Sequence, residues 1–237
     1  MVLQEGLDGY AGAADTYLDS WNQGSALGQS AEFRVRQNRV RVGMIYFDIG
    51  QLPQDATIRS ATLDLWVTYA SNPGKLNLRA YRMVRPWSET SANWLQASTG
   101  EPWGAPGASG AGTDMIPVRL GEAVLSGGQR WVSIDVTQLA RYWLANPSEN
   151  HGLLLEAEGT VSMEFQFASS QWRQQDQRPK LRLSYELPTV ASGLAGLVRG
   201  IELRWEGLGV AALGIAILIL LLGRKRGGQG NDKRKRR

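Results

Sequence analysis

The chain contains no cysteine and a single histidine, His151, among its 237 residues. The first absence excludes disulfide frameworks, thiolate zinc sites, iron–sulfur clusters and cysteine nucleophiles. The second excludes any centre that needs two or three imidazoles. No Walker loop, G-x-S-x-G elbow or dinucleotide fingerprint occurs. The glycine-rich stretch from Gly104 to Gly112 leads into no strand-to-helix pattern, so it is not a phosphate cradle. Met1–Glu5 shows neither a basic n-region nor an apolar h-region. What is plentiful is glycine, with 28 residues, and tryptophan, with nine, in a chain that is 43% hydrophobic. That composition belongs to a folded, loop-rich β protein rather than to a disordered chain or a helical bundle.

Charge is unevenly placed. The last fourteen residues, Arg224–Arg237, hold eight Lys and Arg against one Asp. The other 223 residues hold 18 Lys and Arg against 21 Asp and Glu, so the folded part is mildly acidic. The sequence pI near 9.5 is therefore a property of the tail and no sign of a nucleic-acid partner. Just before the tail, Gly207–Gly223 carries no charged side chain over seventeen residues. As a helix it would extend ~25 Å, at the short end for crossing a bilayer. Trp205 stands at the expected lipid–water boundary. Leu208, Leu213, Ile217 and Leu221 fill the run, and Arg224, Lys225 and Arg226 follow it directly. The positive-inside rule then predicts a single-pass membrane protein with a cytoplasmic C-terminus and an extracellular N-terminal domain. The expected organisation is an ectodomain over residues 1–186, a juxtamembrane linker over 187–206, a transmembrane helix over 207–223 and a basic cytoplasmic tail over 224–237.

The ectodomain reads as strands almost throughout. Phe33 and Val35 alternate with Arg34 and Arg36. Val40–Ile49 continues the pattern with a phase change at Gly43–Met44, which suggests a bulge. In Ile58–Tyr69, Ala61, Leu63, Leu65 and Val67 face one way and Thr62, Asp64, Trp66 and Thr68 the other. Asn72–Pro73–Gly74 is a turn, and the strand after it is expected to return as a hairpin. Residues 85–114 read as a long irregular loop. One helix is predicted, with Val136, Leu139, Ala140, Trp143 and Leu144 on one face, Asp135 or Thr137 at its start and Asn146–Pro147 at its end. Nine or ten strands without a βαβ rhythm predict an all-β, antiparallel, two-sheet jelly-roll sandwich.

Several segments, in order, resemble the DNRLRE-domain (disaggregatase-related) family. They are Asp15–Leu18, Ile45–Ile49, Leu52–Pro53 with Ile58–Leu63, and Val84–Glu89 with Trp94. Asp135–Thr137 with Trp143, Asn150–Leu153, and Arg178–Leu181 with Tyr185 complete the set. The similarity spans residues 4–186. It departs at Ser169–Ser170–Gln171, where the family often has an acidic residue after the serines. The resemblance implies a β-sandwich of extracellular and cell-wall proteins, often joined to polysaccharide-degrading enzymes, in which some members are carbohydrate-binding modules. It implies no catalytic activity.

Indole faces stack on the apolar faces of pyranose rings, so tryptophans are the first candidates for glycan binding, with core packing as the competing use. Trp143 lies on the apolar helix face and reads as core. Trp87 and Trp94 match framework positions of the resemblance and remain candidates. Trp103, in the Gly/Pro-rich loop, is the best placed to be exposed. Trp66, with Asp64, stands on the polar face of the longest strand. Glu156 and Glu158 share a strand face, but no acid sits in an evidently apolar setting, so a hydrolase is not expected. Asp15, Asp19 and Asp48 are hard oxygen ligands that suit calcium, without an EF-hand spacing; turn and strand-end hydrogen bonding is the other use for each. His151, in Asn–His–Gly, reads as a turn residue. The expected function is a non-catalytic cell-surface module, with polysaccharide or cell-envelope glycan and the bilayer as partners. The alternative is a structural subunit that packs against another membrane or surface protein.

Overall fold

Alternating apolar and polar side chains place most of this chain in strands, because only a pleated backbone sends successive residues to opposite faces. The computed structural model describes residues 1–188. The rest of the juxtamembrane segment, the apolar run and the basic tail, with Trp205, Leu208, Leu213, Ile217, Leu221, Arg224, Lys225 and Arg226, lie outside the described residues. Among the described residues no helix is long and apolar enough to cross a membrane. Met1–Leu187 forms one compact unit.

The strands are β1 (Val2–Leu3), β2 (Ala13–Asp19), β3 (Glu32–Arg36), β4 (Arg41–Phe47), β5 (Thr57–Ala70), β6 (Lys75–Met83), β7 (Gln96–Ser98) and β8 (Glu101–Pro102). They continue with β9 (Met115–Ser126) and β10 (Arg130–Asp135), then the helix α1 (Thr137–Ala145), then β11 (Leu153–Glu158), β12 (Glu164–Ala168) and β13 (Lys180–Glu186). The fold is all-β and antiparallel with one short helix. Hydrogen bonding corrects the two-sheet expectation. One sheet runs β1-β13-β5-β12-β3-β4-β11-β6-β9, with β10 also on β5 and β2 also on β4. It curls on itself. The half built on β5 joins the half built on β4 through the single pair Arg36–Arg41.

The expected hairpin of β5 and β6 does not form. β5 pairs with β10, β12 and β13, while β6 pairs with β11 and β9. The Asn72–Pro73–Gly74 turn instead carries the chain from one half to the other. Between the halves lies the main core, where Phe33, Val35, Ile45, Phe47, Leu63, Leu65, Leu78, Leu155 and Phe165 are all buried. Phe33 and Phe167 stack there with ring centroids 5.1 Å apart.

The phase change in β4 is not a bulge, since its register with β2 runs unbroken through Tyr17–Gly43 and Thr16–Met44. The strand is instead buried on both faces. Ile45 and Phe47 enter the main core, whereas Val42 and Met44 enter a second apolar cluster with Leu18, Met83, Ala97, Trp103, Met115 and Leu154. Gly43 permits this, because a Cβ there would lie 3.0 Å from the Phe33 ring.

The residue 85–114 segment is the cover of that second cluster rather than an open loop. Asp114, fully buried, organises it by accepting the backbone N–H groups of Gly104 at 2.8 Å, Ala105 at 3.0 Å and Gly110 at 2.8 Å. Arg85 Nε stands 3.4 Å from the same carboxylate.

The helix matches its sequence pattern, with Leu139, Ala140, Trp143 and Leu144 buried. Asp135 Oδ1 accepts the Thr137 backbone N–H at 2.8 Å and its hydroxyl at 2.6 Å, which closes the first turn. Those two bonds hold the Asp135 carboxyl below its ordinary range. Asp135→Ala is expected to cost about 1 kcal/mol. A thermal melt shifted down by a few degrees would register it, and an unchanged melt would show that the first turn closes without that carboxylate.

Candidate functional site

The outer face of β10, β5 and β13 collects the polar-face residues of three alternating strands. Trp131 pairs with Trp66, Ser133 with Asp64, Lys180 with Asp64 and Arg182 with Thr62, so these side chains share one surface. The two indoles meet edge to face at 5.4 Å, with 67° between their planes, and both remain half-exposed. Lys180 Nζ lies 4.4 Å above the centre of the Trp131 ring. Among the described residues no carboxylate pairs with that ammonium. Its other contact is therefore open to a ligand.

Asp64 is buried, at 5% exposure, and its oxygens are engaged. Oδ1 accepts the Ser133 hydroxyl at 2.6 Å and Arg182 Nη2 at 2.9 Å, and Oδ2 faces Arg182 Nε at 2.6 Å. The carboxylate thus fixes the plane of the guanidinium, which stays half-exposed, and does not itself reach solvent. Val2, Gln4, Leu7 and Asp176 form the far wall of a cleft of about 580 Å³. Gln4 holds that wall by donating to Gln175 O at 2.7 Å and Arg178 O at 2.9 Å.

The remaining tryptophan candidates separate by burial. Trp103 is 6% exposed and its Nε1 donates to Asn93 O at 2.8 Å, so the expectation of an exposed platform is corrected. The indole is a strut of the second cluster. Trp94 packs under Gly107, where a Cβ would come within 2.5 Å of the indole. Trp87 donates its Nε1 to His151 O at 2.9 Å. It lines a second cleft of about 570 Å³ with Val84, Arg85, Pro86 and Glu101. Burial keeps the His151 imidazole below its usual titration range.

The three candidate calcium ligands are not brought together. Asp15 is buried on β2, where its Oδ2 accepts the Ser170 N–H at 2.6 Å. Asp19 is paired with Arg41 at 2.9 Å. Asp48 is exposed and accepts Gly50 N at 2.8 Å. Asp15 and Asp19 lie four residues apart on β2, about 13 Å along a strand, so one ion cannot take both. Among the described residues no group of three or more His, Cys, Asp or Glu side chains is placed to hold a metal ion. Glu156 and Glu158 each pair with an arginine, Arg39 and Arg79.

Sequence reading nominates Trp66 and Asp64 on this face and counts Trp131 among the tryptophans that invite a sugar platform without ranking it, but it omits Lys180 and Arg182 as ligand groups. Their alternation in Trp131–Val132–Ser133 and Lys180–Leu181–Arg182 marks each as outward-facing. The missing information was that β10 and β13 flank opposite edges of β5.

The model of the disaggregatase related repeat domain matches residues 27–183, from before β3 into β13. No curated protein matches the sequence. The matched span covers most of the curled sheet, including Trp66, Trp131 and Lys180, and on that ground the chain belongs to the disaggregatase related repeat domain family.

Proposed function

We propose that the domain is a non-catalytic surface module that binds polysaccharide or cell-envelope glycan on the β10-β5-β13 face. The observation that carries this reading is the half-exposed pair Trp66 and Trp131, flanked by the Lys180 ammonium and the Asp64-held Arg182 guanidinium beside an open cleft. Indole faces supply stacking area at low entropy cost, and the two cations supply directed donors to ring hydroxyls or carboxylates. The cleft is open to solvent, so individual affinities are weak and rely on repeated contact along a polymer.

The module acts from the outer surface of the cell membrane, tethered by the apolar run 207–223 with its basic tail inside. This part of the proposal rests on the seventeen uncharged residues followed by Arg224, Lys225 and Arg226. Protease added to intact cells is expected to remove the sheet domain and spare the tail. Cleavage of the tail with the domain spared would overturn the topology.

Binding to an immobilised polysaccharide panel tests the site. Trp66→Ala and Trp131→Ala are each expected to weaken retention by about tenfold or more, on the order of 1.4 kcal/mol, with the fold intact. Retention unchanged in both variants would remove this face from glycan binding. A second reading, an accessory domain packed against another membrane or surface protein, is favoured by Val118 and Val124. These are 55% and 54% exposed on β9, at one end of the sheet. Co-purification of a stoichiometric partner, together with no glycan retention, would support it.

A further inference from the structure

Away from the indole cleft, three segments distant in sequence bring oxygen atoms together around Asp15. Asp15, on β2, is 1% exposed. Its Oδ2 accepts the Ser170 backbone N–H at 2.6 Å, in the turn after β12. Its own N–H donates to Glu89 Oε1 at 3.0 Å, and Gln171 Nε2 donates to the same oxygen at 3.0 Å. The charged groups that act on the Asp15 carboxyl are Glu89 and Glu5, both acidic. Among the described residues neither Asp15 nor Glu89 has an ion-pair partner.

Two further oxygens in this cluster are left without partners. Ser170 Oγ and Gln171 Oε1 are both buried and make no hydrogen bond. Ser170 is 4% exposed, and its hydroxyl is near enough to the Asp15 carboxyl to favour the ionised form. A buried carboxylate without a countercharge is strongly unfavourable, and buried polar atoms without partners add to the cost. Everything unsatisfied here is oxygen, and the missing element is positive charge.

We propose that Asp15, Glu89, Ser170 and Gln171 form a site for a divalent, oxygen-seeking cation, and that calcium is the ion it takes. Two carboxylates, a side-chain amide oxygen and a hydroxyl are hard ligands, with no imidazole or thiolate to favour zinc or copper. Calcium accepts six to eight oxygens in flexible geometry, so water completes the shell. Magnesium requires near-ideal octahedral ligation and keeps most of its own water, which suits an enclosed cluster of mixed ligands less well. The bound ion ties β2, the Ser88–Asn93 loop that leads to Trp94, and the Ser169–Trp172 turn into one unit. The site shares no residue with the indole cleft, so it stands or falls independently of glycan binding.

The test is thermal unfolding of the full-length chain in detergent at pH 7.5, with chelator and then with calcium or magnesium, alongside calorimetric titration with calcium alone. With calcium at about a hundred times its dissociation constant, the unfolding temperature is expected to rise by roughly 5–10 °C, and magnesium to give far less. Asp15→Asn and Glu89→Gln are each expected to abolish the rise and the calorimetric binding. Glu89→Gln keeps the hydrogen-bonding shape of a half-buried side chain, so it reports separately from the change in stability that Asp15→Asn itself brings. Equal unfolding temperatures in chelator and calcium would overturn the proposal. So would a rise that Glu89→Gln leaves in place, which would put the ion elsewhere.

Discussion

Asp15→Asn is expected to make the chelated protein markedly more stable at pH 8 and to leave it nearly unchanged at pH 4. Burial, with Glu89 and Glu5 adding repulsion, raises the Asp15 carboxyl from 3.8 to about 7 despite the hydrogen bond it accepts from the Ser170 N–H. The folded chain therefore holds this proton over a range where the unfolded chain has released it. Between about pH 4 and pH 7 the folded state binds more protons, so stability is full at the acid end and falls as pH rises through the folded value. A displacement of about three pH units corresponds to roughly 4 kcal/mol at pH 8. Asparagine carries no charge to bury. Its carbonyl still accepts the Ser170 N–H, and its amide can donate to the unpartnered Ser170 Oγ. The unfolding temperature of the variant is expected to exceed that of the parent by roughly 10 °C at pH 8 in chelator. Melts recorded from pH 4 to pH 8 should converge at the acid end. Parallel curves for the two proteins would show that Asp15 is ionised throughout in the fold. Calcium should close most of that gap at pH 8, since only the parent offers the ion a carboxylate.

The second large effect belongs to Trp103. Trp103→Ala is expected to cost about 3–5 kcal/mol, because it empties the centre of the second cluster and leaves Asn93 O without its donor. Urea unfolding would register it as a lower midpoint with an unchanged slope. Trp103→Phe restores most of the volume but not the hydrogen bond, so its cost should fall to about 1–2 kcal/mol. Trp66→Ala, on the half-exposed outer face, should stay within about 1 kcal/mol. If Trp103→Ala proved as mild as Trp66→Ala, the second cluster would not be a core. The contrast matters for binding work, since lost retention in the Trp103 variant would report unfolding rather than a ligand contact.

The division between these tryptophans was only partly legible in the sequence. Alternation located Trp66 and Asp64 on an outward face, since a period of two needs no knowledge of the partner strand. The helix was legible for the same reason, from spacing alone. Trp103 was misread because glycine and proline around an indole signal irregular backbone, and irregular backbone is commonly exposed. Here Asp114 supplies the hydrogen bonds that a sheet would otherwise provide, and that lets an irregular segment pack. A lone aspartate at the end of a glycine-rich run gives no local sign of that use. The phase change at Gly43–Met44 was correctly seen and wrongly explained. A strand buried on both faces and a bulged strand give the same string of apolar residues, and only the register separates them. Asp15 was legible as a calcium ligand from its chemistry, but its partners were beyond reach, because Asp15, Glu89 and Ser170 meet through three separate crossings of the fold.

The first strand and the last strand among the described residues pair at one edge of the sheet. Val2 and Leu3 pair with Arg182 and Leu181, while Lys180–Glu186 pairs along its length with β5. Lys180 and Arg182 belong to β13, the last strand among the described residues. If the proposed glycan site and tether are both in place, a pull on Lys180 and Arg182 would load β13 along its own length. The ladder joining β13 to β5 lies perpendicular to that pull, so its bonds share the load in shear and must yield together, whereas a hairpin opened from its end would unzip one rung at a time. Under that proposal, a ligand held through β13 would be fastened against drag.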